Sequence, residues 1–244
     1  MAQDILIVDD DRQVAEAMQR ALEPEFDVRI ITEASQTLEA CQAKRPDLII
    51  MDITFPEGRS GLNATQQVRN TEALADIPIL YVSGWDEIED KEDSFASGGD
   101  DFLSKPFQQR ELQLKVKALL RRVARTKKQP VVEVLRVGLL ELNARSFEIT
   151  TDSKKVLLTP VEFELMRFLM TNPDEVFSAD QLLQRVWGYP PGIGMPDLVR
   201  VHVKNVREKI EPNPRKPIFL RNVLRRGYMV PTTTVEDVER VTSG

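Results

Sequence analysis

Asp52 closes a short apolar run, Ile49-Ile50-Met51, and three other runs end in groups of complementary chemistry. Ile5-Leu6-Ile7-Val8 is followed by Asp9, Asp10 and Asp11, Ile79-Leu80-Tyr81-Val82 by Ser83, and Phe102-Leu103-Ser104 by Lys105-Pro106. Acids that share one site repel one another unless a cation sits among them. Carboxylates with a backbone carbonyl and water suit Mg²⁺, a hard ion that keeps part of its hydration shell. Such a metal and the Lys105 ammonium would together neutralise a phosphoryl group delivered to one carboxylate, an established use of an Asp nucleophile. The residues therefore propose one site centred on Asp52.

To meet, these groups must be placed by the backbone. Continuous β-prone runs bounded by polar residues read as strands buried on both faces of a parallel sheet. Ligands of such sheets sit outside the carboxyl ends of the strands. Strands are expected at 4–9, 27–31, 47–52, 77–82 and 101–104. Helices are expected from Asp11 as N-cap, at 34–44, 62–71 and 86–97, and in a long closing segment striped by Leu112, Val116, Leu119, Leu120 and Val123. Five β–α units predict a doubly wound, five-stranded parallel sheet with right-handed crossovers.

The chain of 244 residues is long enough for two domains, and 41% hydrophobic with 30% charged content fits a globular protein with a sizeable core. No apolar run approaches the ~20 residues that span a bilayer, and the N-terminus lacks a signal pattern. A single cysteine, Cys41, suits a reducing compartment, so the expected location is cytoplasmic. Charge is uneven. Residues 1–120 hold 24 acidic and 12 basic side chains, whereas residues 121–244 hold 15 and 21, which makes the second half the candidate for a polyanionic partner.

The basic stretch 121–130 ends in Pro130 and reads as the boundary, giving domains at 1–122 and 132–232, a linker at 123–131 and a tail at 233–244. Segments near 132–141, 145–150 and 154–158 read as antiparallel strands. Thr159-Pro160-Val161-Glu162 and Ser178-Ala179-Asp180-Gln181 are capping boxes that open two helices. A third helix, 197–210, divides into an apolar stripe (Val199, Val203, Val206, Ile210) and a basic one (Arg200, Lys204, Arg207). A hairpin over 218–230 carries Arg225 and Arg226. Three helices and a hairpin make a winged helix-turn-helix. An α-helix that is basic on one side suits the major groove, where Arg reads guanine and Asn reads adenine. A small-substrate phosphotransfer enzyme is disfavoured, because no Gly-rich phosphate loop follows the first strand.

The motifs ILIVDDD, DLIIMD with Pro56, ILYVS and DDFLSKPF resemble the receiver domain of two-component response regulators, and LTPVEFELMRFL, VHVKNVREKI and the terminal Gly-Tyr resemble the OmpR/PhoB-type winged-helix output domain. The resemblance implies that Asp52 is the phospho-acceptor, fed by a sensor histidine kinase. It implies Mg²⁺ held by Asp9, Asp10, Asp52 and the Thr54 backbone carbonyl, with Lys105, Ser83 and Phe102 reading the phosphoryl group, and a cis Lys105-Pro106 bond. It carries DNA contact onto Arg200, Val201, Lys204, Asn205, Arg207, Arg225 and Arg226. It also implies a homodimer on phosphorylation through Lys91, Asp101, Glu111, Lys115 and Arg122, binding tandem half-sites of double-stranded DNA, with RNA polymerase as a further partner. His202 is expected near the DNA backbone rather than in a catalytic role.

Several residues depart from that pattern. The loop 53–61 is one residue longer, and Trp85 would border the path of the hydrolytic water and shield an acyl phosphate. Phe102 replaces the commoner tyrosine. Asn205, Glu208, Asp197-Leu198 and Leu224 stand where basic residues or an Arg-Thr pair are common, so base preference is not transferable from a relative.

Overall fold

The apolar runs of the first half form one parallel sheet, β1 (Asp4–Val8), β2 (Asp27–Ile31), β3 (Leu48–Asp52), β4 (Ile79–Ser83) and β5 (Asp101–Ser104), in the order β2-β1-β3-β4-β5. The computed structural model of the chain describes residues 2–56, 58, 60–84, 97–128 and 134–232, so the expected helix at 86–97 lies almost wholly outside the described residues, as do Trp85 and Lys91. Around the sheet lie α1 (Arg12–Leu22), a 3-10 turn at Ala34–Gln36 leading into α2 (Thr37–Ala43), α3 (Ser60–Arg69) and α4 (Gln109–Lys128). Asp11 caps α1, its carboxylate accepting from the N–H groups of Gln13 and Val14.

Strand side chains alternate between faces. Ile5, Ile7, Leu48, Ile50, Leu80, Val82 and Leu103 pack on one face against Ala15, Met18 and Leu22 of α1 and Leu112, Val116 and Leu119 of α4. Each such side chain contributes about 1.5–3 kcal/mol relative to exposure, enough to hold a cluster of acids at the strand ends. Register does the positioning. Val8 pairs with Met51, Asp52 with Val82 and Ser83 with Ser104, so Asp9, Asp52, Ser83 and Lys105 emerge at one edge. The Lys105-Pro106 peptide is cis.

Contacts divide the chain into two compact units at Val123 and Ala124. The backbone does not break there: α4 runs on to Lys128, through most of the segment expected as linker. Arginine, lysine and alanine are good helix formers, and the sequence from Gln109 to Lys128 holds no glycine or proline to stop the helix.

In the second unit, four strands replace the three expected: β6 (Val134–Val137), β7 (Leu140–Asn143), β8 (Glu148–Thr150) and β9 (Lys155–Leu157), an antiparallel meander. Gly138, with φ of 55°, allows a two-residue turn inside what reads as one apolar run. Next come α5 (Pro160–Thr171), α6 (Ala179–Leu182, widening into a π-type turn at Leu183–Trp187), α7 (Pro196–Ile210) and the hairpin β10 (Arg221–Val223) with β11 (Gly227–Met229). Both capping boxes form as expected: Thr159 with Glu162, and Ser178 with Gln181. The hairpin is pinned to the body by Phe177, whose N–H and C=O both bond Tyr228 at 2.9 Å. At Gly227 φ is 134° and an added Cβ would lie 1.9 Å from the Phe177 carbonyl oxygen, so only glycine fits.

Candidate functional site

At the carboxyl edge of the sheet, Lys105 Nζ bridges two carboxylates, 2.8 Å from Asp9 Oδ2 and 2.6 Å from Asp52 Oδ2. The second oxygens are also held, Asp9 Oδ1 by the Asp11 N–H at 3.0 Å and Asp52 Oδ1 by the Thr54 N–H at 3.0 Å. Asp9 is fully buried, Asp52 nearly so and Asp10 exposed, and one carboxylate oxygen of each lies within 4.8 Å of the others. One ammonium among three acids leaves the cluster short of positive charge. Burial pushes the Asp9 carboxyl above its ordinary range; hydrogen bonding to Lys105 pulls it back only partly, and the neighbouring Asp52 charge adds to the rise. For Lys105, burial alone would lower the pKa, but the hydrogen bonds to Asp52 and Asp9 and their charges prevail and raise it.

Three hydroxyls stand beside this edge without satisfied chemistry. Ser83 is fully buried and its Oγ has no hydrogen-bond partner among the described residues, and the same holds for Thr54 Oγ1 and Ser60 Oγ. Buried hydroxyls seldom go unpaired. An acid cluster short of positive charge beside an orphaned hydroxyl fits both a divalent cation and a phosphoryl group. Asp9, Asp10 and Asp52 would hold the metal. Of Thr54, the structure defines an N–H bond to Asp52 and a buried hydroxyl, while its carbonyl as a ligand rests on the sequence resemblance. Phe102 is already buried, 7% exposed.

Gly61 is a site residue that motif reading misses. The start of α3 lies so close to β3 that a Cβ on Gly61 would sit 1.9 Å from the Asp52 carbonyl oxygen. The longer loop before it is closed by paired bonds of 2.8 Å between Phe55 and Gly58, with Phe55 buried.

The charges expected at a dimer face divide. Glu111 is exposed. Asp101, Lys115 and Arg122, expected at the dimer face, are each buried in an ion pair within the chain. Lys115 Nζ lies 3.0 Å from Asp101 Oδ1, and Arg122 Nη2 lies 2.9 Å from Asp100 Oδ1. Asp100 also holds Arg69 at 2.8 Å and the Ile79 N–H. Burial raises the Asp101 pKa, with the Lys115 charge acting against it.

In the second unit, Arg200 and Lys204 project from α7 as exposed cations, with Arg200 2.7 Å from Asp197. Val201 and Asn205, expected among the DNA contacts, face inward at 6% and 5% exposure. Arg207 is half-buried, its Nε donating to the Leu220 carbonyl at 2.9 Å, so its visible work is to tie the base of the hairpin to α7. Burial lowers its pKa, with the Glu211 and Tyr228 charges acting the other way. His202, expected near the DNA backbone, is fully buried, its ring centroid 5.5 Å from that of Trp187. Arg225 and Arg226 are exposed at the hairpin turn.

Comparison with known proteins agrees with both units. Residues 5–117 match the response regulator receiver domain, and residues 153–230 match the C-terminal domain of transcriptional regulatory proteins. The chain is 36% identical to the DNA-binding dual master transcriptional regulator RpaA of Synechocystis sp., over 95% of this chain and 96% of RpaA. It is 35% identical to the DNA-binding response regulator MtrA of Mycobacterium tuberculosis, over 93% and 96%. The chain thus belongs to the response regulators that join a receiver domain to an OmpR/PhoB-type transcriptional-regulator domain. A solved RitR mutant shares the fold with a TM-score of 0.74 at 18% identity, covering 95% of this chain and all of that one. The response regulator DrrB of Thermotoga maritima gives 0.50 at 24% identity, again over 95% and 100%.

Proposed function

We propose that Asp52 accepts a phosphoryl group from the phosphohistidine of a sensor kinase and that this covalent state controls binding of the second unit to double-stranded DNA. The observation that carries the proposal is the Lys105 ammonium held between Asp9 and Asp52, at the sheet edge where the buried Ser83 hydroxyl has no hydrogen-bond partner among the described residues. An Asp52 oxygen attacks phosphorus, the P–N bond breaks, and the leaving imidazole keeps the electron pair and takes a proton. Positioning and charge neutralisation dominate such transfers. Mg²⁺ held by Asp9, Asp10 and Asp52 would supply a second positive charge. Lys105 neutralises a phosphoryl oxygen, and Ser83 donates to another, gaining the partner it lacks. The buried free thiol of Cys41 and the absence, among described residues, of a helix long and apolar enough to cross a membrane accord with action in the cytoplasm.

For DNA, the exposed cations Arg200 and Lys204 on α7 and Arg225 and Arg226 on the hairpin form the contact face, while Val201 and Asn205 are left out of it. Arg200→Ala and Lys204→Ala are expected to weaken binding by about tenfold each. The one that contacts phosphate should also lower the salt slope by about one. Filter binding of the full chain across a salt series reads both; unchanged affinity in both variants would remove α7 from the interface. Phosphorylation is proposed to favour a homodimer on tandem half-sites, where effective concentration raises avidity without new base contacts. Glu111→Lys is expected to reduce dimer formation in sedimentation with a phosphoryl mimic and Mg²⁺, and an unaltered profile would exclude that face. RNA polymerase is the proposed downstream partner.

A further inference from the structure

Among the described residues, Leu224 is the most exposed large hydrophobic side chain, at 82%, against 52% for Met195 and 50% for Leu157. It sits at the tip of the β10–β11 hairpin, immediately before the exposed Arg225 and Arg226. The turn that presents it is well defined. Val223 pairs with Gly227, the Arg226 N–H bonds the Val223 carbonyl at 2.9 Å, and Arg225 takes a left-handed φ of 59°. The hairpin is also fixed relative to α7. Arg207 Nε holds the Leu220 carbonyl, Glu211 accepts the Leu220 N–H at 2.8 Å, and Tyr228 is bonded on both sides by Phe177. An isolated exposed leucine needs no explanation on an ordinary surface. One held out on a braced tip beside two arginines has the composition of a minor-groove reader. Arginine is drawn to the negative potential of a narrow groove, and an apolar side chain wedges against its floor.

We propose that Leu224 is an apolar wedge that contacts the floor of the DNA minor groove beside the site read by α7, and that it selects against G·C pairs there. The reading rests on the second unit binding DNA. Its chemical basis is the guanine N2 amino group, which alone distinguishes G·C on the minor-groove floor. An inosine·cytosine pair lacks that group while keeping the other edges of G·C.

The test uses the full chain and a duplex selected by the wild-type protein from a random-sequence pool. Edge pairs of the selected duplex are replaced one at a time by I·C and by G·C. The wild type should lose about tenfold in affinity for G·C relative to I·C at one or two positions. Leu224→Ser should erase that difference with an unchanged salt slope, and Leu224→Arg should raise the slope by about one. If Leu224→Ser keeps the G·C penalty, or the wild type never shows one, the wedge is wrong while the DNA-binding reading stands. If the wild type enriches no sequence and binds no duplex, both readings fall together.

Discussion

Lys105→Met is expected to destabilise the metal-free first unit by about 3 kcal/mol, the cost of stripping the partner from buried charges. The Lys105 side chain is 21% exposed, while Asp9 and Asp52 are 0% and 8%, so solvent cannot replace the lost ammonium. The same variant should gain more stability from Mg²⁺ than the wild type does, because removing a competing cation from the cluster strengthens attraction for the metal. Urea unfolding with and without Mg²⁺ measures both. Equal Mg²⁺ stabilisation in the two proteins would mean that the metal does not enter this cluster. The pH dependence has a defined sign. Lys105 has a native pKa above its ordinary 10.5, so its stabilisation is complete below that pH and is lost as pH climbs through the native value. Asp9 acts in the opposite sense. Its native pKa exceeds 3.8, the native state binds the proton more tightly than the unfolded chain, and stability falls as pH rises through that window.

Glu211→Ala should be comparably severe in the second unit. Glu211 is 2% exposed and accepts three backbone N–H groups, from Ile218 at 2.8 Å, Phe219 at 3.0 Å and Leu220 at 2.8 Å. Burial raises its pKa although the three donors pull it down. Truncation leaves those donors buried and unpaired, a loss of about 4 kcal/mol at roughly 1–3 kcal/mol for each group. It also loosens the segment whose Leu220 carbonyl receives Arg207, so DNA affinity should fall with stability. In a thermal scan the transition of the second unit should move down by more than ten degrees, about what such a loss implies for a domain of this size. The first transition should stay in place. A shift of both, or of neither, would contradict the assignment of Glu211 to the hairpin base.

The first unit was largely readable from its residues because position along a buried strand fixes where its end must fall. Asp9, Asp52, Ser83 and Lys105 follow apolar runs with a single plausible register, and the pairing brings them to one edge. Helix starts were equally readable, since Thr159 and Ser178 carry their own capping chemistry. Orientation around α7 was not. Its apolar stripe points correctly inward at Val199, Val203, Val206 and Ile210, but a second seam through Leu198, Val201, His202 and Asn205 is buried as well. A polar residue type gives no sign of which way it faces when a helix is covered over so wide an arc. The burial of Asp101, Lys115 and Arg122 was equally illegible. Single charged residues are expected at the surface, and only the fold brings Lys115 and Asp101, fourteen positions apart, into one buried pair. Gly61 was hidden for a different reason. Its requirement is the absence of a side chain against Asp52, and an absence leaves no pattern in a sequence.

The most direct measurement of the central claim is intact-protein mass spectrometry after incubation with acetyl phosphate and Mg²⁺, on the wild type and on Asp52→Ala. The account predicts one added phosphoryl group on the wild type, absent without Mg²⁺ and absent from Asp52→Ala. An unmodified wild type, or equal modification of Asp52→Ala, would contradict it.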